Sequence, residues 1–257
     1  MKKLVIFRAM TEIRLNKFLA QAGFASRRKA DELISQGRVK INGKVVSEPG
    51  VKIDPETQRI EVDGKEIKAE EPVYYLFYKP AGYLTSLSDP HGRKTIASFL
   101  QKIPYRVFPV GRLDAATEGL ILLTNDGELA NRLLHPRYQI KRVYHATVKG
   151  HPRKEAIDKL LKKGVEVEGK RVFPKGIKLL RQGPRSTTYE VVLGEGRKRE
   201  VRKIFASIGH PVIKLLRVAF GPLTLKGLRP GEIRPLSGKE LRALKRAAKI
   251  TETPRPS

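Results

Sequence analysis

The chain is organised around the stretch PVGRLDAATEGLILLTNDGELANRLLHP, residues 109–136. Its apolar run at 120–123 predicts a buried strand, and Asp114 stands at a glycine-containing turn just before it. Arg112 lies two residues earlier, and a nearby cation favours the ionised form of a carboxyl group. An ionised aspartate is suited to nucleophilic or electrostatic work. Asp114 could equally cap a short helix through residues 115–117, a common role for aspartate.

Composition narrows the classes of function. The 257 residues carry a net charge of +27, which implies a polyanionic partner, by default a nucleic acid. The absence of cysteine excludes thiolate nucleophiles and thiolate metal sites, and fits a reducing cytosol. No apolar run reaches 18 residues, and residues 1–10 have too short an apolar core for a secretory signal. We therefore expect a cytoplasmic protein without membrane segments.

Residues 12–34 show two helical patterns separated by Gly23. Ser26 is placed as the N-cap of the second helix. The first turn of that helix then contains Arg27, Arg28 and Lys29, where cations oppose the helix dipole. Contact with phosphate groups would explain them, and a merely solvated charged face is the alternative.

Short strand-like pieces follow the two helices. The dipeptides Asn42-Gly43 and Asp63-Gly64 predict tight turns between strands. Two helices with a small β unit make a compact α+β RNA-binding module. The polar segment 68–72 reads as a linker.

Beyond the linker, strands mix with scattered helices without regular βαβ alternation, which indicates an α+β fold. The strand predicted at 141–150 places Tyr144 on the same face as Ala146 and Val148. The tail from Ser237 predicts a basic helix, either an extra RNA contact or simply solvated, followed by a disordered end at 251–257.

The remaining motifs restrict the chemistry. The five histidines lack metal-ligand spacing, and no nucleotide-binding glycine motif follows a strand, so we expect neither a metal nor a cofactor. A carboxylate without cofactors could isomerise an RNA base that has been flipped out and stacked on an aromatic ring. Arg112 could fill the vacated space and Tyr144 could provide the ring. A surface phosphate contact and an ordinary core tyrosine are their alternatives.

Several separate blocks carry a family resemblance. Residues 110–136 look like the signature of the RsuA/RluB-type pseudouridine synthases. Three further blocks stand in the expected order: KPAGYLTS at 79–86, KRVYHATVKG at 141–150 and EGRKREVRKIFASIGHPVIKLLRVAFGPL at 195–223. The region 12–65 resembles the alpha-L RNA-binding domain, first described in small-subunit ribosomal protein four. The phrases SDPHGRKT and TNDGELANRLLHP favour the branch that acts on large-subunit ribosomal RNA.

The resemblance implies an organisation into an RNA-binding domain at 12–68, a catalytic domain at 72–236 with a mixed, mainly antiparallel sheet, and a basic helix and tail at 237–257. The implied reaction converts uridine to pseudouridine in ribosomal RNA without a cofactor, and we expect a monomer. By position, Asp114 is the catalytic aspartate, Tyr144 stacks on the target base, Arg202 pairs with the aspartate, and Arg112 lies near the flipped nucleotide. The expected RNA contacts of the first domain are Arg27, Arg28, Lys29 and Arg38.

Three other functions compete with this one, and the first of them, a synthetase-linked RNA module, would need a nucleotide-binding motif that the sequence lacks. A ribosome-assembly factor that binds RNA without catalysis would show the same basic charge and the same N-terminal module. A methyltransferase joined to that module would need a cofactor loop, which the sequence lacks.

Overall fold

The computed structural model describes residues 12–167 and 169–250. The segments 1–11 and 251–257, including the end expected to be disordered, lie outside the described residues. The chain divides into two compact units between Pro72 and Val73. None of the helices in the described part of the chain is long and apolar enough to cross a bilayer.

The first unit packs two helices on short antiparallel strands. Its helices are α1 (Leu15–Gln21) and α2 (Arg27–Ser35). Its strands are β1 (Ile13–Arg14), β2 (Val39–Ile41), β3 (Lys44–Val46), β4 (Lys52–Ile53), β5 (Ile60–Val62) and β6 (Lys65–Ile67). Four of them form a sheet in the order β3-β2-β5-β6, and β1 pairs with β4.

Local signals in this unit act as predicted. The Ser26 hydroxyl accepts a hydrogen bond from the Lys29 amide at 3.2 Å, which caps α2. Asn42 and Asp63 have positive φ, as do the glycines that follow them, so both dipeptides form the predicted turns. Apolar side chains from both helices and from the strands fill one core, among them Leu19, Ile34 and Ile60.

The second unit has a large mixed sheet with helices around it. Its strands are β7 (Tyr74–Lys79), β8 (Phe108–Val110), β9 (Thr117–Thr124), β10 (Arg142–Lys149), β11 (Val165–Val167), β12 (Lys170–Val172), β13 (Gly176–Gln182), β14 (Ser186–Leu193), β15 (Val212–Phe220), β16 (Leu223–Thr224) and β17 (Ile233–Pro235). Its helices are α3 (Ala97–Leu100), α4 (Gly127–Leu134), α5 (Lys154–Lys163), α6 (Glu200–Ala206) and α7 (Gly238–Ala247), with a short 3-10 helix at Pro136–Tyr138.

The main sheet runs in the order β13-β14-β10-β15-β9-β7-β17, with β8 paired to β9 and β16 to β15. Its neighbours are antiparallel except for β9 and β15, which are parallel. The predicted α+β class and mainly antiparallel second domain are confirmed. Strand β9 is buried almost throughout, because both sheet faces are covered by apolar clusters.

Helix α7 belongs to the second unit. Its Leu244 and the C-cap residue Ala248 that follows it are fully buried. They join a core with Leu120, Leu122 and Phe220. Helix α7 is therefore not wholly solvated, because it contributes to the core of the second unit.

Candidate active site

A cavity of about 360 Å³ opens where the parallel pair β9 and β15 begins. Four adjacent strands of the main sheet contribute one wall residue each: Leu193 of β14, Tyr144 of β10, Leu215 of β15 and Thr117 of β9. The loop before β9, the loop leading into α6 and the first turn of α6 form the rest of the wall. These remaining residues are Arg112, Leu113, Asp114, Gly196, Arg197, Lys198, Arg199, Glu200 and Val201.

Asp114 lies at the start of a turn that leads directly into β9. Its carbonyl oxygen accepts a hydrogen bond from the Thr117 amide at 3.0 Å, and residue 117 already pairs with Leu215 of β15. The capped helix that the sequence left open does not form, because strand pairing begins three residues after the aspartate. The carboxylate is thereby left partly exposed at the cavity wall.

The turn after Asp114 is held by Lys79, which is fully buried. Its Nζ donates to the carbonyl oxygens of Thr117 at 2.8 Å, Pro80 at 2.9 Å and Ala115 at 3.3 Å. Burial lowers the pKa of Lys79 to about 8, although Glu118 and Asp114 oppose that shift. A buried cation surrounded by carbonyl oxygens fixes the backbone on the C-terminal side of the aspartate.

Two arginines of the α6 region approach Asp114 in different ways. Arg199 places Nη1 3.8 Å from an Asp114 carboxylate oxygen. Arg202 donates to the carbonyl oxygens of Val212 at 3.0 Å and Ala116 at 3.3 Å, and to the Thr117 hydroxyl at 3.4 Å. Burial lowers the pKa of Arg202, while Asp114 raises it. The pairing predicted between Arg202 and Asp114 is thus an electrostatic proximity, and the ion pair is made by Arg199.

Tyr144 and Arg112 both face the cavity. Tyr144 is only 7% exposed and belongs to the apolar core as well as to the cavity wall, so its two predicted roles are compatible. Arg112 is exposed in the loop two residues before Asp114. The structure brings Asp114, Tyr144 and Arg112 to one cavity, and Arg202 braces the backbone beside it.

A second carboxyl group lies in the same wall. Glu200 is 4% exposed at the beginning of α6, and it accepts a hydrogen bond from the Arg197 amide at 2.9 Å. Burial raises the pKa of Glu200 to about 7. Nearby, Arg142 is buried and donates to the carbonyl oxygens of Ile140, Gly194 and Leu133. A neutral carboxyl group can therefore exist in this wall near neutral pH.

The predicted RNA contacts of the first unit are exposed. Arg27, Arg28 and Lys29 form the first turn of α2, and Lys29 pairs with Glu32 at 2.7 Å. Arg38 forms two hydrogen bonds to Asp63, which lower the pKa of that carboxyl group. A phosphate group would have to compete with Asp63 for Arg38. Asp63 is a weak competitor, because exposed ion pairs of this kind contribute little free energy.

Sequence reasoning missed Lys79, Arg199 and Glu200 as residues of the site. Lys79 had a signal, since a lysine ending the apolar strand YYLFYK is unusual for a residue that prefers solvent. Arg199 and Glu200 stand in the basic loop EGRKREVRK, in which spacing does not distinguish one cation from another.

Two family models and several curated relatives match this chain. A family model described as RNA pseudouridylate synthase matches residues 73–207, and one described as S4 domain matches residues 13–58. An uncharacterised RNA pseudouridine synthase of Aquifex aeolicus is 48% identical over 247 residues, covering 96% of this chain and 99% of the relative. The ribosomal large subunit pseudouridine synthase B of Bacillus subtilis is 48% identical over 237 residues, covering 91% and 96%.

A solved structure shows the same fold. A crystal structure of a pseudouridylate synthase superposes with a TM-score of 0.63 at 31% identity, covering 90% of this chain and 99% of that one. Fold, site and matches define an RNA-modifying isomerase. The chain belongs to the RNA pseudouridylate synthase family and carries an S4 domain ahead of its catalytic domain.

Proposed function

We propose that this enzyme converts a uridine of large-subunit ribosomal RNA to pseudouridine, with Asp114 supplying the catalytic carboxylate. The observation that carries the proposal is the position of Asp114 in one cavity with Tyr144, 3.8 Å from the Arg199 guanidinium. The large-subunit substrate is supported by the 48% identity to the Bacillus subtilis enzyme of that name, together with the sequence phrases noted above.

In the reaction, the N1–C1′ bond of uridine breaks, the uracil turns, and C5 bonds to C1′. The proton on C5 is lost to solvent and N1 gains one, so the product is an isomer and no cofactor is consumed. A base inside a duplex must first be flipped out. In the proposed arrangement the flipped uracil stacks on Tyr144 and Arg112 occupies the space that it leaves.

Arg202 contributes through the backbone. By holding the Ala116 carbonyl and the Thr117 hydroxyl, it maintains the turn that presents Asp114. Its positive charge adds to that of Arg199 around the carboxylate. The first effect holds the carboxylate in a fixed position and the second places positive charge beside it, an arrangement suited to nucleophilic catalysis.

The S4 domain supplies an RNA contact, for which we propose the exposed cations Arg27, Arg28, Lys29 and Arg38. We further propose that the enzyme acts as a monomer, with Asp114, Tyr144 and Arg112 supplied by the same chain. A protein that modifies ribosomal RNA, as the name of the Bacillus subtilis relative states for that enzyme, would act in the cytoplasm.

The substrate is tested with transcripts of the large- and small-subunit ribosomal RNA that carry C5-tritiated uridine. We expect tritium release from the large-subunit transcript and none from the small-subunit transcript. Pseudouridine would then be located by carbodiimide modification and primer extension. Release from the small-subunit transcript alone would overturn the large-subunit assignment while leaving the reaction intact.

A further inference from the structure

Thr85 holds the backbone of the residue that precedes Asp114. Its hydroxyl donates a hydrogen bond to the Leu113 carbonyl oxygen at 2.7 Å and accepts one from the Leu113 amide at 3.1 Å. Thr85 is 8% exposed and Leu113 is 6% exposed, so water has little access to compete for either bond. One hydroxyl group thus satisfies both backbone polar groups of residue 113.

Thr85 is itself anchored. The preceding residue, Leu84, donates its amide to the Lys94 carbonyl at 2.9 Å and accepts a bond from the Ile96 amide at 3.0 Å. Leu84 forms a parallel bridge with Thr95, and the Ile96 side chain is fully buried in the core. The hydroxyl of Thr85 is therefore presented from a fixed backbone.

The other side of the Asp114 turn is fixed by the same segment of chain. Lys79 holds the carbonyls of Ala115 and Thr117, and the Gly82 amide donates to the Ala115 carbonyl at 2.8 Å. Residues 79–85 therefore clamp the turn on both sides of the aspartate. The carboxylate itself is more than a third exposed and has its ion pair at 3.8 Å, so its direction depends mainly on the backbone.

We propose that Thr85 is a positioning residue for Asp114, acting through the two hydrogen bonds to Leu113. The proposal rests on the proposed catalytic role of Asp114. A displacement of about 1 Å in a reacting group can cost on the order of 100-fold in rate. Without the hydroxyl, residue 113 loses the contact that stops it from shifting, and the aspartate loses its alignment with the flipped nucleotide.

The test compares Thr85→Val with Thr85→Ser. Valine keeps the shape and removes both hydrogen bonds, whereas serine keeps both. For Thr85→Val we expect kcat to fall by roughly 10- to 100-fold, with KM and RNA affinity within about twofold of the native protein. Thr85→Ser should retain kcat within roughly threefold. If Thr85→Val fails to fold, Thr85→Ala takes its place at a temperature where circular dichroism shows it folded.

Thr124 offers a matched control at the far end of β9. Its buried hydroxyl donates to the Val73 carbonyl at 2.6 Å and accepts from the Asp126 amide at 3.0 Å, the same pattern away from the aspartate. Thr124→Val should lower the melting temperature about as much as Thr85→Val and leave kcat of the folded enzyme unchanged. An equal loss of kcat in both variants would assign Thr85 a merely structural role and overturn the proposal.

Asp114→Asn, assayed beside them, separates two kinds of failure. If Asp114→Asn is inactive and Thr85→Val keeps native kcat, the positioning role is wrong and the catalytic role of Asp114 stands. If Asp114→Asn is active, the proposed function of Asp114 is wrong, and with it the role assigned to Thr85.

Discussion

At the scale of single residues, two arginines near Asp114 make different contacts. Arg199 faces the Asp114 carboxylate from an exposed position, and its backbone adopts a left-handed conformation just before α6. Arg202 is more enclosed and uses its guanidinium on backbone carbonyls. Movement of the Arg202 side chain would break its hydrogen bonds to the turn, whereas no hydrogen bond to the turn is formed by Arg199 among the described contacts.

Lysine substitutions distinguish these two roles. In Arg202→Lys, one Nζ atom replaces the separate Nη1 and Nη2 donors that reach the Val212 and Ala116 carbonyls, so we expect a loss of stability of about 1–3 kcal/mol together with a fall in kcat. Arg199→Lys keeps a charge near Asp114 and should leave the melting temperature unchanged. Thermal unfolding and single-turnover tritium release measure both effects. Equal destabilisation by the two substitutions would contradict this division.

Glu200 makes stability depend on pH. Burial raises its pKa in the folded protein from 4.5 to about 7, so folding favours the protonated carboxyl group. Its contribution is fully present below pH 4.5 and is lost as the pH rises through 7. The loss amounts to about 3 kcal/mol, since one pKa unit corresponds to about 1.4 kcal/mol.

Glu200→Gln tests this effect, because glutamine can still accept the bond from the Arg197 amide. Urea unfolding of both proteins at pH 5 and pH 8 gives the comparison. The native protein should lose stability relative to Glu200→Gln as the pH rises. A constant difference between the two proteins across this range would show that Glu200 is ionised in the folded state at both pH values.

At the scale of elements, the parallel pairing of β9 and β15 builds the cavity. Gly119 permits it: its φ is +118°, and a Cβ there would lie 2.3 Å from the Arg217 carbonyl oxygen. A backbone atom cannot yield as a flexible side chain would, so the two strands would have to separate. The cavity wall contributed by Thr117 and Leu215 would then be disrupted.

Gly119→Ala should therefore destabilise the protein by roughly 2 kcal/mol or more, from the strained backbone alone. Gly127→Ala is the matched control, because its backbone is helical and nothing lies within 4 Å of an added Cβ. Guanidinium unfolding should show a lower midpoint for the first variant only. An unchanged midpoint for Gly119→Ala would mean that the strand pair accommodates a side chain.

Some of the helices, strands and turns could be predicted from the sequence alone. The β9 strand, the Ser26 cap and the two tight turns follow from local signals, because neighbouring residues determine them. The alternation of β10 likewise predicts that Tyr144 faces the core. Local signals do not predict which distant segments of the chain pair with each other. The contact of β9 with β15 ends the turn at Thr117, and the core partner of α7 comes from strands more than 20 residues away.

At the scale of the whole molecule, the net charge of +27 governs association with RNA. The logarithm of the RNA association constant falls linearly with the logarithm of the salt concentration, because binding releases counterions. The slope of this line is roughly 0.7–0.9 for each phosphate contact. Replacing Arg27, Arg28 and Lys29 together by alanine should reduce that slope by about 2. Fluorescence anisotropy with labelled RNA at several salt concentrations measures it.

A variant lacking three exposed lysines of α5, namely Lys154, Lys159 and Lys162, loses the same charge elsewhere. It should change the slope less if α2 contacts phosphate directly. Equal slopes for the two variants would mean that the first turn of α2 contributes only to the general charge of the protein and does not contact phosphate directly. Neither variant should change kcat at saturating RNA.

Only some of the residues of the site could be predicted from the sequence. The family resemblance brings Asp114, Tyr144, Arg112 and Arg202 together, and the structure places them at or beside one cavity. Lys79 and Thr85 join the site through hydrogen bonds to backbone atoms, which leave no periodic pattern in a sequence. The same limitation conceals Arg199, whose distance to Asp114 depends on the path of the loop before α6.

Tritium release by Asp114→Asn tests the catalytic role of Asp114 most directly. Asparagine preserves the size of the side chain and removes its negative charge, and the backbone contacts of Lys79 and Thr85 remain available to hold the turn. We expect the variant to bind the large-subunit transcript with native affinity and to release no tritium above background, while the native protein releases it. Release by Asp114→Asn at the native rate would contradict the assignment of Asp114 as the catalytic residue.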